Sequence, residues 1–319
     1  MSDYPGYLNG YKSGKLKKIA DSLFSSLKSC QICPRRCKVN RLENKPGFCK
    51  TACLPKIFSF MAHHGEEPPI SGTQGSGTIF FSHCNMGCVY CQNYEFSQSG
   101  KGREYTFEEL AQIMLELQSQ GCHNINLVTP THVLPQILKS LELAIPRGLK
   151  IPLVYNTSGY ELAEVIKSLA GIVDIYLADS RYGDNLAALE FSKAPDYVKY
   201  NQEALAEMHR QVGVAEFSDD NLIKRGLIIR HLVLPNHSSG TEKIMKFIAE
   251  ELSEDTYISL MSQYLPYHLA SGYPKINRRL KKEEYQEAKE ILERYRLLNG
   301  WIQESYGQER FAGVNIKPK

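Results

Sequence analysis

Three cysteines constrain this chain more than any other feature. In the stretch FSHCNMGCVYCQNYEF, residues 81–96, Cys84, Cys88 and Cys91 are separated by three and then two residues, with no fourth cysteine close by. A structural zinc site or a simple electron-transfer cluster takes four protein ligands, because a closed coordination sphere stabilises the metal. Three thiolates leave one position open for something else. The loop follows directly on the β-rich run TIFFSH, residues 78–83, which places Cys84 at the C-terminal end of a strand. Barrels and open α/β sheets gather their chemistry at that end.

The chain beyond this loop reads as alternating strands and helices. Further strands are expected at NINLVT (124–129), IPLVYN (151–156), VDIYLA (173–178), LIIRHLVL (227–234) and YISLMSQY (257–264). Thr106 and Glu109 form a capping-box pattern before Phe107, Leu110, Ala111, Met114 and Leu117, which share one helical face, and Gly121 closes that helix. The long gap before the fifth strand is expected to hold two helices, near Asn185–Phe191 and Tyr197–Gln211. Tyr285, Ala288, Ile291, Tyr295 and Leu298 mark a last helix, ended by Asn299 and Gly300. Such alternation implies α/β architecture with a parallel sheet and right-handed crossovers. About six units are too few for an eight-stranded barrel, so a partial (β/α)6 TIM-like barrel is expected over residues 56–319. Residues 1–55 are expected to form an arm, a short helix carrying Leu16, Ile19, Leu23 and Leu27, and a small Cys-rich module.

Cysteine usage points to metal. Eight of the nine cysteines lie between Cys30 and Cys91. No apolar run reaches the roughly 18 residues of a membrane span, and the start MSDYPGYLNGYK lacks a secretory apolar core. A cytoplasmic protein is therefore expected, in a compartment that keeps thiols reduced. A formal charge of +3 over 319 residues, with scattered Lys and Arg, argues against nucleic-acid and membrane partners. In the module, CQICPRRC with Cys49 and Cys53 gives C-x2-C-x3-C-x11-C-x3-C. Four thiolates from this set would close a tetrahedral site for zinc or an auxiliary cluster. Resemblance to the knuckles that precede the barrel in related families implies Cys30, Cys33, Cys37 and Cys49 as the ligands, leaving Cys53 a free thiol or an alternative.

The arrangement C-x3-C-x-aromatic-C, formed by Cys84, Cys88, Tyr90 and Cys91, resembles the radical S-adenosylmethionine enzymes. That resemblance implies that the three thiolates hold a [4Fe-4S] cluster whose fourth iron is chelated by the amino and carboxylate groups of S-adenosyl-L-methionine. One electron from the reduced cluster, supplied by a reductant such as flavodoxin or ferredoxin, then cleaves the sulfonium to a 5′-deoxyadenosyl radical that abstracts hydrogen from a substrate. The segments LVTPTH, VYNTSGYE, YLADSRY, IRHLVLPN and SQYLPYH, with HGEEPPISG and YPKINRRL, resemble the subgroup related to pyruvate formate-lyase activating enzyme. Relatives usually carry a small residue, most often Gly, before the first cysteine, where this chain has His83, and many carry a Gly-Gly-Glu at the second strand's end, where it has Val128, Thr129, Pro130 and Thr131. Thr129 or Thr131 would then receive the cofactor's amino group, and Tyr90 would lie against its adenine. Asn156 and Asp179 suit a ribose and Arg230 suits a carboxylate; Thr157, His231 and Gln263 sit at strand ends facing the same mouth.

The expected function is thus radical chemistry on one of two substrate classes: a backbone glycine of a partner enzyme, or a small molecule or other peptide. A non-catalytic iron–sulfur electron-transfer or interaction protein is the rival from another class. Cys122 reads as a packing residue, Glu66 and Glu67 as solvated carboxylates with substrate binding as the alternative, and His63 and His64 as loop histidines, one of which would approach the mouth.

Overall fold

The computed structural model describes residues 4–303; the two ends of the expected 1–55 and 56–319 division lie outside them. One ten-stranded sheet organises the chain. Its strands are β1 (Lys56–His63), β2 (Ser76–Phe81), β3 (Arg103–Glu104), β4 (Ile125–Val128), β5 (Leu153–Thr157), β6 (Ile175–Asp179), β7 (Glu216–Phe217), β8 (Ile223–Leu232), β9 (Tyr257–Met261) and β10 (Gly300–Ile302). They lie in the order β10-β9-β8-β6-β5-β4-β2-β1-β3, with β7 against β8. From β2 to β10 every neighbouring pair on this path is parallel. β1 and β3 extend the other edge antiparallel. Consecutive strands therefore sit side by side, as in a barrel, while the edges stay apart: a partial barrel.

All six expected strands occur, as β2, β4, β5, β6, β8 and β9, and period-two alternation sorts their side chains between two faces. Ile79, Phe81, Ile125, Leu127, Tyr155, Tyr176, Leu227 and Ile229 pack outward under the helices in the main core. Val154, Ile175, Leu177 and Ile228 face the concave side, where Ile70 packs against them. The helix Phe107–Ser119 begins with both capping-box bonds, Thr106 accepting from the Glu109 amide at 3.1 Å and Glu109 from the Thr106 amide at 2.7 Å. The two helices before β8 span Asn185–Ser192 and Tyr197–Val212. The amino-terminal helices, Tyr7–Lys12 and Lys15–Ser26, bury Tyr7, Leu16 and Ala20 in the main core. Tyr7 donates to the Ile151 carbonyl at 2.8 Å, and the Gly6 amide to Asp174 at 3.0 Å. Both partners precede their strands, so the arm straps the N-terminal ends of β5 and β6, opposite the mouth.

The last helix spans Lys282–Arg294 and stops earlier than expected, where Arg296 turns into the left-handed region at φ 57°. Gly300 instead opens β10, at φ 124°, with the site of a Cβ only 1.9 Å from the Ile258 carbonyl oxygen. In β8, Gly226 at φ 129° lets the strand pass Ala215, whose Cα would lie 2.3 Å from an added Cβ. Gly226→Ala should cost about 1–3 kcal/mol of stability, against about 1 kcal/mol for Thr106→Ala at the exposed cap. Urea unfolding monitored by circular dichroism checks both, and a neutral Gly226→Ala would contradict the close approach.

Candidate functional site

The loop after β2 starts with a backbone reversal. His83 adopts φ 72°, a conformation that costs a side-chain-bearing residue and that glycine takes freely. It is held there by its amide, which donates to the Phe96 carbonyl at 2.9 Å. Thr129, the first residue past β4, has φ 58° and donates its amide to the Asn156 carbonyl at 2.8 Å. A β-branched residue in this region is a true outlier, and such strain concentrates at ligand sites. Both departures from the glycine-bearing pattern thus keep the glycine-like backbone.

Each of the three loop sulfurs has its own hydrogen-bond partner. The Met86 amide points at Cys84 Sγ at 3.3 Å, the Ser192 hydroxyl at Cys88 Sγ at 3.0 Å, and Ser97 Oγ lies 3.1 Å from Cys91 Sγ. Arg181 adds a guanidinium contact to Cys88 at 3.8 Å. Burial first, then the neighbouring sulfurs, pushes the Cys84 thiol up to about 12 and Cys91 up to about 11, so these thiols stay protonated until a cation draws the protons off. Soft sulfur donors backed by N–H and O–H groups fit an iron–sulfur cluster. Among the described residues no three His, Cys, Asp or Glu side chains already surround a metal position, so the sulfurs must turn inward to bind one.

Beside the loop lies a cavity lined by Tyr90, Cys91, Gln92, Asp179, Arg230 and Gln263, among others. β6 and β8 pair Asp179 with Arg230, and β5 pairs Asn156 with Leu177, one same-face position before Asp179. Arg230 donates to Asp179 at 2.8 Å and to Asn156 at 2.5 Å, and contacts Glu66 at 3.4 Å. Arg181 holds the other Asp179 oxygen at 2.5 Å. A continuous polar chain therefore runs from Cys88 through Arg181, Asp179 and Arg230 to Asn156. The two flanking guanidinium groups outweigh burial and keep the Asp179 carboxyl below its ordinary range.

Several expected residues have other settings. Tyr90 is 3% exposed, bonded through its hydroxyl to Tyr182 at 2.7 Å and edge-on to Tyr264, so its ring is as much core as cavity wall. Thr131 donates to Glu161 at 2.6 Å. His231, next to Arg230, points to the opposite face, where Ser180 and Thr241 satisfy both ring nitrogens; it is a core histidine and does not line the mouth. Glu66 and Glu67 are buried rather than solvated, because the segment after β1 folds up against the concave face. β1 runs antiparallel to β2, with His63 opposite Ser76, so His63 lies at the far end from Cys84. Cys122 packs in the core.

Sequence reasoning overlooked Arg181 and Glu161. Arg181 was legible as the basic residue of YLADSRY, two after Asp179, where a strand end would aim both toward one mouth. Glu161 is fully buried, with one oxygen taking the hydroxyls of Thr157, Thr131 and Tyr155 and the other unpartnered. Nothing in the sequence marked it.

Comparison with known proteins fixes the class. A sequence profile of the Radical SAM superfamily matches residues 78–186, the segment holding the three-cysteine loop and β2 to β6. The chain carries a radical SAM superfamily domain. It is 36% identical over 290 residues to the uncharacterized protein MJ0674 of Methanocaldococcus jannaschii, covering 88% of this chain and 78% of that one, and it belongs to the same family. The crystal structure of HydG, a maturase of the [FeFe]-hydrogenase, superposes with a TM-score of 0.44 at 12% identity, over 68% of this chain. The match spans 48% of that protein, about half its length. Superfamily membership implies a [4Fe-4S] cluster and S-adenosyl-L-methionine. Among the described residues no helix is long and apolar enough to cross a membrane.

Glu161 gives a pH test. Burial pushes its carboxyl up to about 7, against an ordinary 4.5. Between these values the folded chain holds a proton that the unfolded chain has released, so stability falls as pH rises from about 4.5 to about 7. Relative to Glu161→Gln, the wild-type protein should lose about 3 kcal/mol over that window. Denaturant titrations at several pH values check this, and a difference that stays flat with pH would contradict it.

Proposed function

We propose that this protein is an enzyme that reductively cleaves S-adenosyl-L-methionine at a [4Fe-4S] cluster held by Cys84, Cys88 and Cys91. When bound, the cluster and the cofactor supply the electron transfer and the 5′-deoxyadenosyl radical that removes hydrogen from a substrate. The observation that carries this reading is the three-sulfur loop itself, with a hydrogen-bond partner on every sulfur, set at the C-terminal end of β2 beside the Arg181–Asp179–Arg230 chain. The remaining roles belong to this chain's own residues. Met86, Ser97, Ser192 and Arg181 stabilise negative charge on the sulfurs. Arg230, Asn156 and Gln263 provide polar contacts at the mouth for the cofactor's carboxylate and ribose, and Asp179 orients both arginines. Thr129, with its strained backbone, offers a hydroxyl and carbonyl at the end of β4 for the amino group. Buried Ile70 and Glu66 close the floor of the concave side, which helps keep water from a reactive radical.

For the substrate, the activating-enzyme resemblance supports a backbone glycine of a partner enzyme, reached through the open mouth of the partial barrel. A flavodoxin- or ferredoxin-type donor would deliver the electron.

Reconstituted and reduced anaerobically with S-adenosyl-L-methionine, the protein should form 5′-deoxyadenosine detectable by mass spectrometry, and Cys84→Ala should form none. A parent protein that assembles its cluster but leaves the cofactor intact would overturn the reading in favour of electron transfer or structure. Replacing the cation beside Cys88, Arg181→Gln, should shift the cluster midpoint negative by on the order of 50–100 mV with iron content unchanged. An unmoved potential in a redox titration would remove Arg181 from its assigned role.

A further inference from the structure

The structure assigns a second, independent site: a single tetrahedral zinc ion held by Cys30, Cys33, Cys37 and Cys49. All four cysteines line one small cavity, together with Arg35, Arg41 and His132, while Cys53 lies outside it. The chain brings them there through two tight reversals. Arg36 and Lys38 take φ 40° and 56° around Cys37, and Lys50 takes φ 55° after Cys49. The Phe48 amide points at Cys37 Sγ at 3.5 Å, and Gly47 admits that sulfur, since a Cβ there would lie 2.7 Å from it.

A buried cation beside these sulfurs calls for an anionic partner. Arg41 is 1% exposed, and its partners among the described residues are the Ala52 and His132 carbonyls and Cys30 Sγ at 3.7 Å; none is a carboxylate. A buried guanidinium without a counter-ion is costly. Four thiolates around Zn²⁺ carry a net double negative charge, which supplies the missing counter-ion. One further buried nitrogen of the lining residues, Arg35 Nη2, lacks a hydrogen-bond partner. The cavity of about 10 Å³ takes one ion with the four sulfurs turned in to about 2.3 Å.

The site would act on the mouth through structure. Arg41 donates to the His132 carbonyl at 2.8 Å, and His132 Nε2 lies 2.8 Å from the Ser82 carbonyl, two residues before Cys84. Zinc would thus pin the cysteine module to the end of β4 and the root of the three-cysteine loop.

The test uses the full chain with Cys84, Cys88 and Cys91 all changed to Ala, so that failure of the loop reading cannot affect the result. Elemental analysis should find one zinc ion per chain and no acid-labile sulfide, and a mercurial titration should release the zinc as four thiols react. Adding Cys33→Ser and Cys37→Ser should abolish zinc binding and lower the melting temperature. Iron with sulfide in the triple variant, or zinc removed by a weak chelator such as a low-affinity metallochromic dye, would overturn the proposal. Should the added substitutions prevent folding, cobalt replacement in the triple variant decides alone. Intense sulfur-to-cobalt charge-transfer bands for four thiolates support the site, and their absence refutes it.

Discussion

Sulfur that must carry negative charge has to be tolerated at the edge of a buried sheet, and much of the mouth is arranged around that constraint. Burial works against thiolates: it raises the Cys84 and Cys91 thiols well above their ordinary range. A cation nearby offsets that cost, and the chain places one arginine beside each cysteine group. Arg181 approaches Cys88, and Arg41 approaches Cys30. Each arginine also fixes structure around the mouth. Arg181 positions Asp179, which positions Arg230, while Arg41 holds the loop that follows β4. Charge balance and site geometry are therefore set by the same side chains.

The parallel sheet makes this economical in residues. Strands β5, β6 and β8 in register bring Asn156, Asp179 and Arg230 into hydrogen-bonding reach although they are far apart in sequence. Outward-facing neighbours of the same strands form the main core, so one alternating pattern supplies both stability and a polar mouth. The segment after β1 completes the arrangement by carrying Glu66 to Arg230 from the concave side.

Much of this was legible in the sequence. The six parallel strands stand out because apolar, β-branched runs alternate with amphipathic helices, and the capping box at Thr106 and Glu109 was readable residue by residue. Clustering of Asn156, Asp179 and Arg230 followed from their places at strand ends. Other parts were hidden for physical reasons. β10 is an edge strand and β1 is flanked on one side only by the two-residue β3; both have mixed exposure and lack a clean apolar signature. The burial of Glu66 depends on where a connecting segment folds back, and no local pattern encodes that. His231 was misplaced because adjacent residues on a strand face opposite ways, and only the register tells which one reaches the mouth. The left-handed backbone at His83 and Thr129 was invisible because neither residue type advertises it.

Radical chemistry on an open iron is the central claim, and the bond between cofactor and cluster tests it most directly. Electron–nuclear double resonance on the reduced, reconstituted protein, with S-adenosyl-L-methionine labelled with ¹⁵N at the amino group and ¹⁷O at the carboxylate, reports whether those atoms coordinate iron. The account predicts strong hyperfine coupling to both labels in the wild-type protein. A well-formed, reduced cluster that shows no coupling to either label would contradict it, because the fourth iron would then be closed to the cofactor.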